Sequence, residues 1–423
     1  MKKMNKLKKF ASLLFCSVMV LNTTACNSTS DDIVQQTGSR RITCSWWGND
    51  GRNSYTMEGL SVFHELNPDI MVDGKYGIWD GYTKRQNIYM NSHDEPDVMQ
   101  INHNWLKKFS PDGDGFYDLY TLSDYIDLSN YTESELAYGE VNGKLNAIPI
   151  AFNTQTIYCN SDLYEKYNLD IPSEWDDFFD AAKVMRKDDI YPLGMGAKSL
   201  FFFLVANWEQ KTGKSVCDAE GNLVVTKDDI GYMLDFYKRM FDEEVIMPIS
   251  TTDFNTFTAG KTASIVRWIS DSESYCSPLT QKGVKVVVAP YPTYKDAKKL
   301  GWYVKPATMY SISSTTEHPE ESAKLLNFLV NSKEMALLQQ TEKGIPISKS
   351  AKQALVESDN LSGLELEGDT LLNKNQDKMQ VMYPVLEAEN VYQAFKDEAD
   401  FYLYGRDTRE NVVDKIYTSF YAE

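Results

Sequence analysis

The chain has 423 residues, 42% of them hydrophobic, and a formal net charge of −18. That length suffices for two domains with sizeable cores. The acid excess excludes the broad basic surface that nucleic-acid binding requires. It also disfavours capture of anionic polymers by overall charge, though a single local Arg can still read a carboxylate.

The chain opens with Lys2, Lys3, Lys6, Lys8 and Lys9, then the short apolar run Phe10 to Leu21. That run is too short to span a bilayer as a mature helix and fits the core of a secretory leader. Thr23-Thr24-Ala25-Cys26 resembles the bacterial lipoprotein signal, in which a small residue precedes the Cys that becomes lipidated. Thr23 stands where Leu is usual, so the match is imperfect, and ordinary secretory cleavage is the alternative. Residues 1–25 are read as the leader and 26–39 as a flexible polar tether. Lipid on Cys26 would hold the protein outside the cytoplasmic membrane. Without its five leader lysines the chain carries a charge near −23.

Ile42 to Ser45 reads as a first strand, followed by Trp46, Trp47 and the turn formers Gly48, Asn49, Asp50 and Gly51. The two tryptophans are expected on a loop at the carboxyl end of that strand, where open α/β sheets place ligand sites. One indole can pack inward while the other faces a ligand. Flat aromatic surface beside carboxylates and amides suits a sugar ring, which has an apolar C–H face and a rim of hydroxyls. A helix from Asn53 to Asn67 ends at Pro68, and Ile70 to Val72 gives a second strand. Gly77 to Tyr82 reads as a loop, with a helix from Gly81 to Ser92. Pro96 to Asn102 is a third strand, ending at Asn102, His103, Asn104 and Trp105. Three strand–loop–helix units thus bring a Trp or an amide to the same edge.

Farther on, Leu119 to Leu128 reads as a helix. Asn142 to Asn153 reads as a turn and then a strand and Thr156 to Asn160 as another strand, with a helix after Ser173 as its cap. Ser199 to Lys211, dense in Phe, reads as a buried helix and Asp228 to Phe241 as an amphipathic one. Thr262 to Trp268, Val284 to Ala289 and Tyr310 to Ser313 are strands. Helices cover Pro319–Val330 and Lys333–Gln340, and most of the chain beyond Lys349. Asn360 to Asp369 reads as an acidic loop. Cys44, Cys159, Cys217 and Cys276 lie far apart, without metal-ligand spacing, and no disulfide can be assigned among them. The four histidines form no paired motif, so neither a metal nor a cofactor is expected.

The pieces together resemble the extracellular solute-binding proteins of bacterial ABC sugar importers, family 1, the maltose-binding-protein-like group. They are Trp46-Trp47-Gly48; Phe63-His64-Glu65-Leu66-Asn67-Pro68-Asp69-Ile70; Gly77-Ile78-Trp79-Asp80-Gly81-Tyr82; Pro96-Asp97-Val98; Gly143-Lys144 through Ile148-Pro149-Ile150; and Tyr158-Cys159-Asn160-Ser161-Asp162-Leu163. Pro172-Ser173-Glu174-Trp175, Gly260-Lys261-Thr262-Ala263, Ile312-Ser313, His318-Pro319-Glu320-Glu321-Ser322-Ala323 and Gly344-Ile345-Pro346-Ile347 complete the set. Each is weak alone; their order and number are specific. Ile78 departs from the pattern where related sequences often carry Gly.

The resemblance implies an α/β, two-lobed, periplasmic-binding-protein-like fold of type II, its lobes joined by a hinge that the chain crosses several times. Crossings are expected just past Ile150, after the strand ending at Val266, and near Tyr310. That assigns residues 40–151 and 267–309 to lobe 1, and 152–266 and 310–423 to lobe 2. It further implies a non-enzymatic, monomeric receptor that captures an oligosaccharide between the lobes and hands it to ABC permease subunits. The ligand-binding candidates are Trp46, Trp47, Asp50, Arg52, Trp79, Asp80, Trp105, Asn153, Trp208, Arg267, Trp268 and Trp302. Trp79 and Asp80 can instead form a structural turn, Arg267 a hinge salt bridge, and Trp302 a surface turn. Arg52 can pair with a uronic acid carboxylate or bond to Asp50 at the helix start. Trp175 is read as a packing residue. The rival classes are a glycoside hydrolase or lyase, which needs two carboxylates set across a cleft, and a surface glycan-binding protein without a permease.

Overall fold

The computed structural model describes residues 40–421, apart from residues 219, 253, 254 and 307 and the Asp80 side chain. The expected leader, tether and lipidation residue Cys26 lie outside the described residues.

The first sheet is built on strand Arg40–Trp47, which runs parallel to Ile70–Gly77 and to Val98–Ile101. Met309–Ile312 joins antiparallel to Val98–Ile101, and Ile148–Pro149 closes the far edge. The first strand is longer than its sequence suggests. Trp46 and Trp47 are its last two residues, opposite Tyr76 and Gly77, not loop residues. Successive strand residues face opposite sides, so the two indoles part company. Trp46 is fully buried and stacks on Tyr76 at 5.0 Å, its Nε1 donating to Asn53 Oδ1 at 3.1 Å. Gly74 makes room for it, since a Cβ there would come within 2.7 Å of the ring. Helix Asp50–Leu66 begins earlier than expected because Asn49 caps it, accepting from the Arg52 amide at 2.9 Å. Helix Trp79–Ser92 likewise starts two residues before Gly81.

The second sheet has the order Val286–Ala289, Gln155–Asn160, Thr262–Trp268, Tyr191–Gly194. The first two pairings are antiparallel and the last is parallel. Behind it runs helix Ala197–Thr212, buried from Ser199 to Gln210. Its polar residues are tied into the packing: buried Glu209 accepts through Oε1 from Tyr303 Oη at 2.6 Å and from the Val216 amide at 2.8 Å. Gln210 Oε1 accepts from Trp175 Nε1 at 2.8 Å, which makes Trp175 a packing residue.

Between the two sheets lies a third, in the order Ile345–Pro346, Ala151–Asn153, Tyr303–Pro306, Gln380–Val381. These short strands link the lobes, and residues 40–421 pack as one unit around them. Ile148–Pro149 pairs in the first sheet and Ala151–Asn153 in the third. The later expected crossings do not match the strand pairing. Val286–Ala289 pairs with Gln155–Asn160 in the second sheet, so the strand belongs with lobe 2 and the next crossing is at Tyr303–Pro306. Met309–Ile312 belongs to the first sheet, and helices Pro319–Asn331 and Lys333–Gln339 pack with it against Asp50–Leu66. The last passage to lobe 2 falls between helix Lys349–Glu357 and helix Gly363–Asn375, which packs on Val286–Ala289. The allocation of 267–309 to lobe 1 and of everything past 310 to lobe 2 therefore fails at these strands. Non-sequential strand order is invisible to local pattern.

Three local readings also change. Leu119–Leu128 is not one helix; it holds the short 3₁₀ turn Leu119–Leu122, capped by Asp118, and the first residue of another, Leu128–Asn130. The acidic segment read as a loop contains helix Gly363–Asn375, whose Gly368 lets it approach Ile269: a Cβ there would meet the Ile269 side chain at 2.9 Å. Glu174, not Ser173, caps helix Trp175–Met185 through a box with Asp177.

Gly301 closes the turn into the linking sheet with φ +70°, and a Cβ on it would lie 2.6 Å from the Ala206 carbonyl oxygen. Left-handed backbone strain and this clash act together, so Gly301→Ala should lower unfolding free energy by about 2 kcal/mol or more. Urea denaturation followed by far-UV circular dichroism measures it; an unchanged midpoint would contradict the packing described.

Candidate functional site

A cleft of about 640 Å³ opens where the linking sheet meets both lobes. That volume is in the usual range of small-molecule sites, about 300–1,000 Å³. The first lobe contributes Trp47, Arg52, Trp79 and Asn102; the second contributes Trp268, Ser270 and Glu387; the linking strands contribute Asn153 and Lys305. Thr308 and the loop Gln340–Gly344 complete the wall. Pairing across the linking sheet sets the floor, because Asn153 and Lys305 are direct antiparallel partners.

The aromatic wall is layered. Trp79 is 46% exposed and Trp47 only 8%. Trp79 meets Trp47 edge-on at 4.9 Å and lies nearly parallel to Trp105 at 5.8 Å and 13°. Trp105 stacks in turn on Tyr82 at 6.1 Å. Buried rings thus hold one exposed indole in a fixed plane, at little entropy cost on binding. Trp268, half-buried, offers a ring from the other lobe and rests edge-on against Phe202 at 6.3 Å.

Polar groups are also fixed. Asn153 Nδ2 donates to Ser270 Oγ at 2.9 Å, while its Oδ1 accepts from the Thr154 amide. Lys305 Nζ pairs with Glu387 at 2.5 Å. Arg52 does not bond to Asp50. Its Nη2 donates to the Glu342 carbonyl at 2.6 Å, and Nε is 4.0 Å from the Glu342 carboxylate. Lys343, next in the loop, is 4% exposed, and its Nζ donates to Tyr310 Oη at 2.9 Å. Burial pushes its ammonium down to about 7; Arg52 adds to the effect and Cys44 opposes it.

Of the candidates read from sequence, Trp47, Arg52, Trp79, Asn153 and Trp268 come together in this cleft. The others do not line it. Trp46 is core, and Asp50 is an exposed first residue of its helix. Trp105 lies behind Trp79 as its support. Trp208 is buried in the second lobe with its Nε1 on Asp229 at 3.1 Å. Arg267 turns back to the Val266 carbonyl at 2.9 Å and covers the Tyr275 ring at 4.3 Å, and among the described residues it makes no salt bridge. Trp302 is 3% exposed and packs on Tyr291 at 4.6 Å, so it is no surface turn. Asp80 is the second residue of helix Trp79–Ser92, its side chain outside the described residues. Sequence reasoning missed Ser270, Lys305, Thr308, Glu387 and the Gln340–Gly344 loop as site residues. For the loop a signal existed: it immediately precedes Ile345-Pro346, already singled out as a motif. Among the described residues no group of His, Cys, Asp and Glu is placed to hold a metal ion, and the four described cysteines are free.

Lys343 has a consequence for stability. Its folded pKa, about 7, lies below the unfolded value near 10.4, so between those values the unfolded chain binds more protons. Its contribution to stability therefore rises with pH across that window. The stability advantage of Lys343→Met over the parent should be largest near pH 6 and shrink by pH 9. Paired urea titrations test this; a gap independent of pH would contradict it.

The chain is 24% identical over 313 residues to a putative binding protein of Brucella abortus, covering 70% of this chain and 73% of the relative. A periplasmic oligogalacturonide binding protein from Yersinia enterocolitica superposes with a TM-score of 0.74 at 31% identity, over 90% of this chain and 97% of that one. Its complex with saturated digalacturonic acid gives a TM-score of 0.67. A de novo designed cysteine esterase matches at 0.80 and 31% identity, over 89% and 96% of the two chains; being a design, it says nothing of natural activity. These neighbours share the two-lobed fold. The family model for bacterial extracellular solute-binding proteins matches residues 49–336. The chain belongs to the bacterial extracellular solute-binding proteins.

Proposed function

We propose that this protein is the receptor of an ABC importer, capturing an oligosaccharide between its lobes and delivering it to membrane permease subunits without altering it. The observation that carries this reading is the convergence of indoles from both lobes on one cleft: Trp47 and Trp79 from one side, Trp268 from the other. Indole faces suit the C–H faces of sugar rings. Asn102, Asn153, Ser270 and Thr308 supply neutral donors and acceptors for hydroxyls. A ligand touching both lobes binds their closed arrangement better than the open one, so closure follows as a population shift. The Yersinia neighbour, an oligogalacturonide binder, supports a saccharide ligand. Lipid on Cys26 would keep the receptor beside its permease, consistent with an extracellular family and with the finding that no described helix is long and apolar enough to cross a membrane.

The test is titration of the mature chain with a panel of oligosaccharides, read by tryptophan fluorescence and calorimetry. Saturable binding without turnover is expected; release of shorter sugars would instead mark an enzyme. Trp79→Ala should weaken the best ligand about ten-fold, from about 1.5 kcal/mol of ring contact. Trp208→Phe should leave affinity unchanged and cost about 1 kcal/mol of stability through its lost bond to Asp229. The reverse pattern would overturn the assignment of the cleft.

A further inference from the structure

The charges of the cleft do not balance locally. Three cations line it, Arg52, Lys305 and Lys343, against two carboxylates, Glu342 and Glu387. Glu387 is taken up by Lys305 at 2.5 Å, with Lys198 at 3.7 Å. Glu342 stands 4.0 Å from Arg52 and is an exposed, weakly held partner. Lys343 has no carboxylate within ion-pair distance among the described residues; its hydrogen bond is to the neutral Tyr310 hydroxyl.

A buried ammonium without a counter-charge is costly. Among the described residues no carboxylate relieves it; only Cys44 opposes the effect of burial. Cys44 and Tyr310 from the first sheet and Tyr55 from helix Asp50–Leu66 are all pushed by burial toward their neutral forms. Arg52 adds a like charge from the same helix. A protein of net charge −18 has thus placed two adjacent cations, Arg52 and Lys343, at one end of a sugar-sized cleft. Such unmatched charge is compensated once an anion arrives.

We propose that Lys343 and Arg52 form an anion subsite that receives a sugar-acid carboxylate, making the cleft selective for acidic over neutral oligosaccharides. This rests on the reading of the cleft as a saccharide site and deepens it. Lys343 supplies the buried point charge. Arg52 Nη2 is held by the Glu342 carbonyl, while its buried Nε has no hydrogen-bond partner among the described residues. A neutral sugar leaves both cations uncompensated and is discriminated against for that reason. Proton linkage follows: a bound carboxylate favours the charged amine, so acidic ligands bind with proton uptake.

The experiment is calorimetry on the mature chain with three probes of equal length: oligogalacturonides, their methyl esters, and the matching neutral galactose oligomers. The free acid should bind at least about ten-fold tighter than the ester or the neutral sugar. Its affinity should fall from pH 6 to pH 8.5, while the uronic acid itself stays ionised throughout. In Lys343→Met the ratio of acid to neutral affinity should collapse toward one. Should that variant fail to fold by circular dichroism, Arg52→Gln on the half-exposed position gives the same readout. Equal binding of acid and neutral sugars, or an unchanged ratio in the variants, overturns the anion subsite and leaves sugar capture standing. A cleft that takes neither series overturns both.

Discussion

The small sheet between the lobes is the constraint on which the rest depends. Its four strands come from four distant parts of the chain, and their pairing decides which residues can meet. Asn153 faces Lys305 across one pair, and Phe152 faces Ile345 across another. The second pairing draws the preceding loop, Gln340–Gly344, down onto the cleft. Gly344 is needed there: its φ is +96°, and a Cβ would come within 2.9 Å of the Ala151 side chain. Backbone hydrogen bonding in the link, more than any single side chain, thus sets the geometry of the floor.

On this floor stand two walls of different character. The first-lobe wall is pre-built, since Trp105, Tyr82 and Trp47 fix the plane of Trp79 before any ligand arrives. The second-lobe wall presents Trp268 beside Lys305, whose ammonium lies 5.7 Å from the ring centre. A ligand that engages both walls gains from each only when they approach, which gives a hinged receptor its coupling between binding and closure. The cation pair at Lys343 and Arg52 adds charge to a trough that otherwise combines three indoles with polar groups such as Asn102, Asn153, Ser270 and Thr308.

Much of this was legible in the sequence, and the misses have physical reasons. The strand Thr262–Trp268 was bounded correctly because small and β-branched residues run unbroken to the tryptophan. The alternation of Trp46 and Trp47 between core and cleft was anticipated from chain geometry, although both belong to the strand. Trp208 and Trp302 were overread, because an indole near other aromatics looks the same whether it lines a cleft or fills a core; only Asp229 and Tyr291, brought in by tertiary packing, tell the difference. Lys343 was unreadable for the opposite reason. A Lys between Glu342 and Gly344 has the look of a solvated turn, and it is buried only because Ile345–Pro346 joins the linking sheet.

The most direct test of the account is a crystal structure of the mature chain grown with an oligogalacturonide. The account predicts a sugar ring on the face of Trp79, a second contact on Trp268, and a carboxylate within hydrogen-bonding distance of Lys343 Nζ or Arg52. A ligand lodged elsewhere, such as the groove lined by Tyr138 and Met379, with the indole cleft left empty, would contradict it.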